Sequence, residues 1–271
     1  MTTNSVASRQ AGAGASARRP VKAVLFDVDG TLCDSYRLGF EATNAVFAQQ
    51  GAIRGPCTEA EYHTATIYPT PARFAFHVTG DSVDSTGIGA ELGKLFDAHY
   101  IDLISLSTAA LFPQIREMLV NVQRHQREGD EKDCYSSTSS SSSGSSRIRY
   151  GALSNACGAY VRALAALHDL EAEAAPVFFD IMWGADDVPA AKPSGAGLLQ
   201  MCCELGLDPA DCLYVGDAPS DGSAARSAGM LGIGVTWGSH AAAAVQPAFD
   251  EVVTSVSELE RRLLFHTSSA M

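Results

Sequence analysis

Short apolar runs alternate along this chain with stretches whose apolar residues recur every three to four positions. Residues 24–26, 148–153, 177–183, 212–216 and 231–236 are compact apolar runs bounded by turn residues, the pattern of buried strands. Helical spacing occupies 157–168, 195–205 and 221–228 between them. Pro113 starts another helix, with Ile115, Met118, Leu119 and Val122 on one face. Glu258, Glu260, Arg261 and Arg262, interleaved with Leu259, Leu263 and Leu264, close the chain as an amphipathic helix. Repeated strand–helix units of this kind predict an α/β fold: a Rossmann-like parallel sheet with helices on both faces.

Two stretches break that alternation. Residues 34–112 carry helical periods and no strand–helix alternation: Phe40, Thr43, Asn44 and Phe47 share one period, and Ile88, Leu92, Leu95, Phe96, Leu103 and Ile104 another. This predicts an inserted, mostly helical domain with hinges near 33–36 and 110–113, leaving 21–33 and 113–265 as the core. Residues 126–146 pass from charge into a serine tract, too polar to pack, and read as a disordered loop. Residues 1–20, rich in Ala, Ser and Gly with three Arg and no acid, read as a disordered leader. That composition also fits an organelle-targeting peptide.

Composition narrows the function. A net charge of −12 and the lack of a basic stripe argue against nucleic-acid binding. No run of 18 apolar residues offers a membrane span. The seven cysteines are odd in number and form no C-x-x-C pair, so a disulfide framework or a zinc site is not expected. Buried thiols in a reducing, cytoplasmic setting fit better. Cys33 lies close to the acidic motif described next, but no His stands in a recognisable partner position, so it reads as core.

The chemistry gathers at the ends of the predicted strands. Asp27 and Asp29 close the first apolar run, with Gly30 permitting a sharp turn and Thr31 following. Leu153-Ser154-Asn155 ends the second strand, Lys192-Pro193 opens a helix, and Gly216-Asp217 with Asp221 ends a later strand. Open α/β sheets bind ligands at the carboxyl ends of their strands. Taken singly, each segment has an ordinary explanation as a turn, a loop or a helix start.

Together, in this order, they resemble the haloacid dehalogenase-like hydrolase superfamily. Its four motifs are matched by Asp27-Val28-Asp29-Gly30-Thr31, Ser154, Lys192, and Gly216-Asp217 with Asp221. The resemblance runs from about residue 21 to residue 238. The closing pattern at 216–238, Gly-Asp…Asp…Ala-Gly-Met…Gly-Val-Thr-Trp-Gly, is similar to the phosphoglycolate phosphatase-like branch, and the helical insert corresponds to that branch's cap.

The resemblance implies the following roles. Asp27 is a nucleophile and a ligand of Mg2+, Asp217 a second ligand, and the backbone carbonyl of Asp29 a third. Asp221 belongs to the same metal site, holding a bound water or Lys192. Asp29 is the general acid–base, Ser154 donates to a phosphoryl oxygen, and Lys192 supplies charge to it. Gly30 brings backbone N–H groups near the bound anion, Thr31 either braces the turn or touches phosphate through its N–H, and Asn155 contacts the bound group. An acid at position 29 favours a phosphatase over a dehalogenase. Ala218 departs from the Ser or Thr that many members carry beside the metal ligand.

The expected activity is hydrolysis of a small phosphomonoester, with 2-phosphoglycolate as the named candidate, by a monomer or homodimer. Cap residues Arg37, Arg73 and His77 are candidates to contact a carboxylate or sugar hydroxyl, with a plain surface role as the other reading of each, and Tyr68-Pro69-Thr70-Pro71 is either a loop facing the site or a helix start. A sugar phosphomutase with the same nucleophile, and a non-catalytic binding protein on the same scaffold, are the alternatives.

Overall fold

The structure, a computed structural model, describes residues 19–134, 147–171 and 175–268. The expected leader (except residues 19 and 20) and the serine tract at 135–146 lie outside them. The chain runs β1 (Ala23–Phe26), β2 (Cys33–Asp34), α1 (Tyr36–Gln49), α2 (Glu59–Ala65), α3 (Thr70–Thr79), α4 (Ile88–Asp102), β3 (Ala110–Leu111) and α5 (Ile115–Cys134). It continues through β4 (Arg149–Leu153), α6 (Gly158–Leu167), β5 (Ile181–Trp183), α7 (Ala196–Leu205), β6 (Cys212–Gly216), α8 (Pro219–Ala228), β7 (Leu231–Val235), α9 (Ala242–Val245), β8 (Glu251–Val253) and α10 (Val256–Thr267).

Among the described residues, six strands form one parallel sheet in the order β5-β4-β1-β6-β7-β8. The two-residue periodicity of the strands sorts their side chains onto opposite faces. Val24, Phe26, Leu213, Val215, Ile233 and Val235 pack with residues of α5, α6 and α10. The alternate residues Ala23, Leu25, Cys212 and Tyr214 pack with Leu198, Met201 and Cys202 of α7 and Ala224, Ala225 and Ala228 of α8. Both faces are therefore covered, which is why the strands read as continuous apolar runs.

β1 lies at the topological switch point. The chain adds β4 and β5 on one side of it and β6, β7 and β8 on the other, so a crevice opens at its carboxyl end.

Helices α1 to α4 lie between β2 and β3, which pair antiparallel where the chain enters and leaves this segment. Local signals set their ends. Thr58 and Glu61 exchange a capping box at the start of α2, and Gly80 ends α3 in the left-handed conformation at φ 79°. Phe47, Phe74 and Phe96 form an aromatic chain inside the segment, with centroids 5.6 and 5.7 Å apart.

Several boundaries differ from the sequence expectation. The strand expected at 177–183 begins at Ile181, because the Asp180 carboxylate accepts from the backbone N–H of Tyr150 at 3.1 Å and from Arg147 at 2.7 Å. α5 continues to Cys134, past residue 126 where a loop was expected to begin. The edge strand β8 and the short α2 were not anticipated, being too brief to display a period. No described helix is long and apolar enough to cross a membrane.

Candidate active site

The carboxyl end of β1 carries Asp27, whose N–H still donates to Val215 O at 2.8 Å and so holds the residue in the plane of the sheet. Its side chain is 5% exposed. Lys192, 3% exposed, comes from the opposite wall, and its ammonium contacts Asp27 Oδ1. The same ammonium lies 2.8 Å from Asp221 Oδ1, 2.9 Å from Leu153 O and 3.0 Å from the Tyr214 hydroxyl. Asp221, in the first turn of α8, also accepts from the Ala218 N–H at 3.0 Å, which fixes its side chain beside the strand end.

Asp27, Asp217 and Asp221 each bring a carboxylate oxygen within 4.8 Å of the other two. Burial, followed by the charge of Asp221, pushes the Asp27 carboxyl well above the usual carboxylate range despite the opposing charge of Lys192. Burial opposes the charge on Lys192, but Asp221 and Asp27 outweigh it and hold the ammonium protonated well above its ordinary range. One cation thus faces three buried carboxylates. A further positive charge would relieve that excess, and three hard oxygen donors are the set that suits Mg2+.

Asp217 Oδ2 is held from the loop after β7. It accepts from the Ser239 N–H at 2.9 Å and lies 3.3 Å from His240 Nδ1. Burial disfavours a charged His240, but the hydrogen bond and charge of Asp217 outweigh it and raise the imidazole above its ordinary value.

Asp29 is surrounded by hydroxyls. Ser35, Tyr160 and Tyr100 donate to its Oδ1 at 2.5, 2.7 and 3.1 Å, and Ser154 donates to Oδ2 at 2.8 Å. Asp29, Ser35, Tyr100 and Ser154 line, with Asp27, Lys192 and Asp217, one cavity of about 420 Å3. Tyr62, Tyr68, Thr70, Arg73, Phe96 and Tyr100 of the helical segment form its roof.

Most expected site residues meet here, but some do other work. Arg37 does not line the cavity: it is exposed and ion-paired with Glu41 one helical turn on, at 2.7 Å. His77 is buried against Phe47 and Phe74, away from the lining, and burial together with the charges of Arg73 and Arg54 lowers it to about 4, leaving it neutral. Asn155 lines the cavity, yet its amide is committed to Lys192, donating to its carbonyl at 3.0 Å and accepting its N–H at 2.9 Å. Asn155 therefore braces the lysine backbone. Gly30 and Thr31 spend their N–H groups on Cys33 O and Val28 O, and the Thr31 hydroxyl donates to Asp27 Oδ2 at 3.2 Å. Both stabilise the turn. Tyr68 and Thr70 reach the cavity while Thr70 also opens α3, so the two readings of that stretch coexist.

Gly30 is required on two counts. Its φ is +85°, and a Cβ there would sit 2.7 Å from Asp217 Cγ. Gly30→Ala is expected to cost about 1–3 kcal/mol in strain and to displace Asp217, which thermal unfolding and Mg2+ titration of the variant would measure.

Of the three cap candidates, Arg73 is the one that lines the cavity. It is 9% exposed, and its Nε and Nη2 atoms are buried without a hydrogen-bond partner among the described residues. Its guanidinium lies over Phe96 at 4.6 Å and Tyr62 at 5.5 Å. The residues that sequence reasoning missed are Ser35, Tyr100, Tyr160, Tyr214, Ser239 and His240. They lie outside the four motifs, so only the fold could bring them in.

One family recurs in the comparison with known proteins. The haloacid dehalogenase-like hydrolase family profile matches residues 163–235, the stretch that holds Lys192, Asp217 and Asp221. A phosphoglycolate phosphatase of Shigella dysenteriae is 26% identical over 260 residues, covering 88% of this chain and 91% of its own length. One of Escherichia coli O157:H7 is 25% identical over 259 residues, with the same coverage of 88% and 91%. Among solved structures, CbbY of Rhodobacter sphaeroides in complex with xylulose-(1,5)bisphosphate superposes with a TM-score of 0.66 at 22% identity, over 88% of this chain and 96% of that one. A haloacid dehalogenase-like hydrolase of Streptococcus pneumoniae superposes with a TM-score of 0.64 at 21% identity, over 89% and 98% of the two chains. At these identities the structural likeness speaks to the fold.

Proposed function

We propose that the chain is a member of the phosphoglycolate phosphatase-like branch of the haloacid dehalogenase-like hydrolase superfamily and acts as a Mg2+-dependent phosphatase of small phosphomonoesters. The observation that carries this reading is the convergence of Asp27, Lys192, Asp217 and Asp221 at the sheet's switch point, with Asp29 beside them.

Asp27 attacks phosphorus, and an aspartyl phosphate forms as the ester bond breaks. Lys192 neutralises charge that builds on the phosphoryl oxygens during transfer. Asp29 protonates the departing ester oxygen, then takes a proton from the water that opens the aspartyl phosphate. Ser154 turns its hydroxyl from Asp29 to a phosphoryl oxygen. The carboxylates of Asp27 and Asp217, with the Asp29 backbone carbonyl, would hold the metal, and Asp221 orients Lys192. Mg2+, when bound, offsets the repulsion between the anionic nucleophile and the anionic phosphate.

Residues 34–112 act as the cap that covers this centre and reads the rest of the substrate. Arg73 is the cap's contact. A buried guanidinium with unsatisfied N–H groups calls for an anion, so the substrate carries a second acidic group beyond the phosphate. 2-Phosphoglycolate meets that requirement and is the first compound to test. Charge-assisted hydrogen bonds contribute about 1.5–3 kcal/mol. Arg73→Met should therefore raise KM for 2-phosphoglycolate roughly 10–100-fold and change KM for p-nitrophenyl phosphate by less than about threefold. Equal changes for both esters would remove Arg73 from recognition.

The test of the activity is phosphate release from a panel of phosphomonoesters with and without Mg2+. Release that depends on both Mg2+ and Asp27 supports the proposal. An isomerised sugar phosphate without free phosphate would replace it with the mutase reading, and no release above the Asp27→Asn background would leave a binding protein.

A further inference from the structure

We infer that Tyr100 and Tyr160 form a two-ring clamp that positions Asp29 for proton transfer, and that docking of α4 on α6 completes it; the inference rests on the phosphatase reading above. Tyr160 stands on α6 beside the sheet, Tyr100 on α4 of the helical segment. Their rings stack with centroids 4.1 Å apart at 28°, and Phe96, one turn before Tyr100, extends the stack at 4.7 Å. Both side chains are buried, at 5% and 0% exposure, so each hydroxyl must find a partner inside the protein. Both donate to the same atom, Asp29 Oδ1, at 3.1 and 2.7 Å.

The Ser35 hydroxyl at the start of α1 is the third donor to that oxygen. Asp29 Oδ1 is thus pinned from three separate elements. Oδ2 accepts from Ser154 alone among these hydroxyls, and it is the oxygen left to exchange a proton with substrate. Because Tyr100 belongs to the helical segment, this arrangement is whole when α4 is docked. Lifting α4 removes one donor and half of the ring stack. Proton delivery is thereby tied to the closed state, in which the leaving group is covered.

In the step concerned, a bond forms between an Asp27 oxygen and phosphorus while the bond from phosphorus to the ester oxygen breaks. The proton of the Asp29 carboxyl passes to that ester oxygen, which departs as an alcohol. A leaving group that departs readily as an anion needs no such proton, whereas an alkoxide does. Tyr100 and Tyr160 are positioning residues here, acting through Asp29.

The experiment compares kcat/KM, which reports the phosphoryl transfer to Asp27, on p-nitrophenyl phosphate and benzyl phosphate with Mg2+. The two esters are similar in size and differ in the basicity of the leaving oxygen. Tyr100→Phe and Tyr160→Phe keep the rings and the stack. Each should lower kcat/KM on benzyl phosphate about 10–100-fold and on p-nitrophenyl phosphate less than about threefold. In an Asp29→Asn background neither change should lower benzyl phosphate turnover further. Equal losses on both esters, losses that persist in Asp29→Asn, or no loss on either would overturn the clamp while leaving the phosphatase proposal standing. If the unaltered protein cleaves neither ester, the phosphatase reading falls, and the clamp with it.

Discussion

Asp27→Asn is expected to abolish phosphomonoester turnover, by at least about 10³-fold, and to leave the fold intact. An amide of the same shape cannot attack phosphorus, so the loss falls on the chemical step. The stability side of the prediction is less obvious. Asp27 is buried beside Asp221 and Asp217, and both burial and Asp221 disfavour its charge. Removing that charge relieves repulsion but also costs the contact with Lys192. Lys192 keeps Asp221 at 2.8 Å as its remaining anionic partner. The thermal midpoint of the metal-free variant should therefore stay level or rise. Phosphate release and thermal unfolding on one preparation check both halves; a variant that is inactive because it is unfolded would count against the assignment.

Lys192→Met is expected to lose both activity and stability. The ammonium is 3% exposed and is the shared counter-charge of Asp27 and Asp221. Without it, two carboxylates remain buried and unpaired, a situation that costs about 3–5 kcal/mol. Phosphoryl transfer should slow by about 10²–10³-fold, the usual effect of deleting one electrostatic stabiliser. Two further measurements separate the causes. Mg2+ should recover part of the lost thermal stability by supplying positive charge to the same carboxylates. The Asp27→Asn/Lys192→Met double variant should be less destabilised than the sum of the single changes, because one of the two stranded charges is gone. Additive losses would mean that the lysine and the nucleophile do not share an electrostatic site.

The catalytic centre was legible because its residues sit where sequence patterns are strongest. Asp27, Ser154, Lys192 and Asp217 follow short apolar runs or precede a helix, and such boundaries can be found without knowing how the runs pair. Arg37 had two readings, substrate contact or surface charge, that local pattern does not separate: on an amphipathic helix one residue's rotation decides between the cavity and solvent, and its partner Glu41 lies on the solvent side. Asn155 was identified as important, but its role changed from contacting substrate to bracing Lys192, since backbone partners 37 residues apart leave no sequence trace. Tyr100, Tyr160 and His240 were invisible for the same reason: each reaches Asp29 or Asp217 from an element outside the motifs.

By itself, the sequence determined the alternating α/β architecture, the helical insertion and the set of charged groups at strand ends, because hydrophobic period and turn chemistry are local properties. Tertiary structure decided which hydroxyls converge on Asp29, that Arg73 is buried with two nitrogens unpartnered among the described residues while Arg37 is exposed beside Glu41, and how Lys192 is shared between Asp27 and Asp221. Those outcomes depend on helix rotation and on contacts between distant segments, where angstroms matter and no local pattern records them.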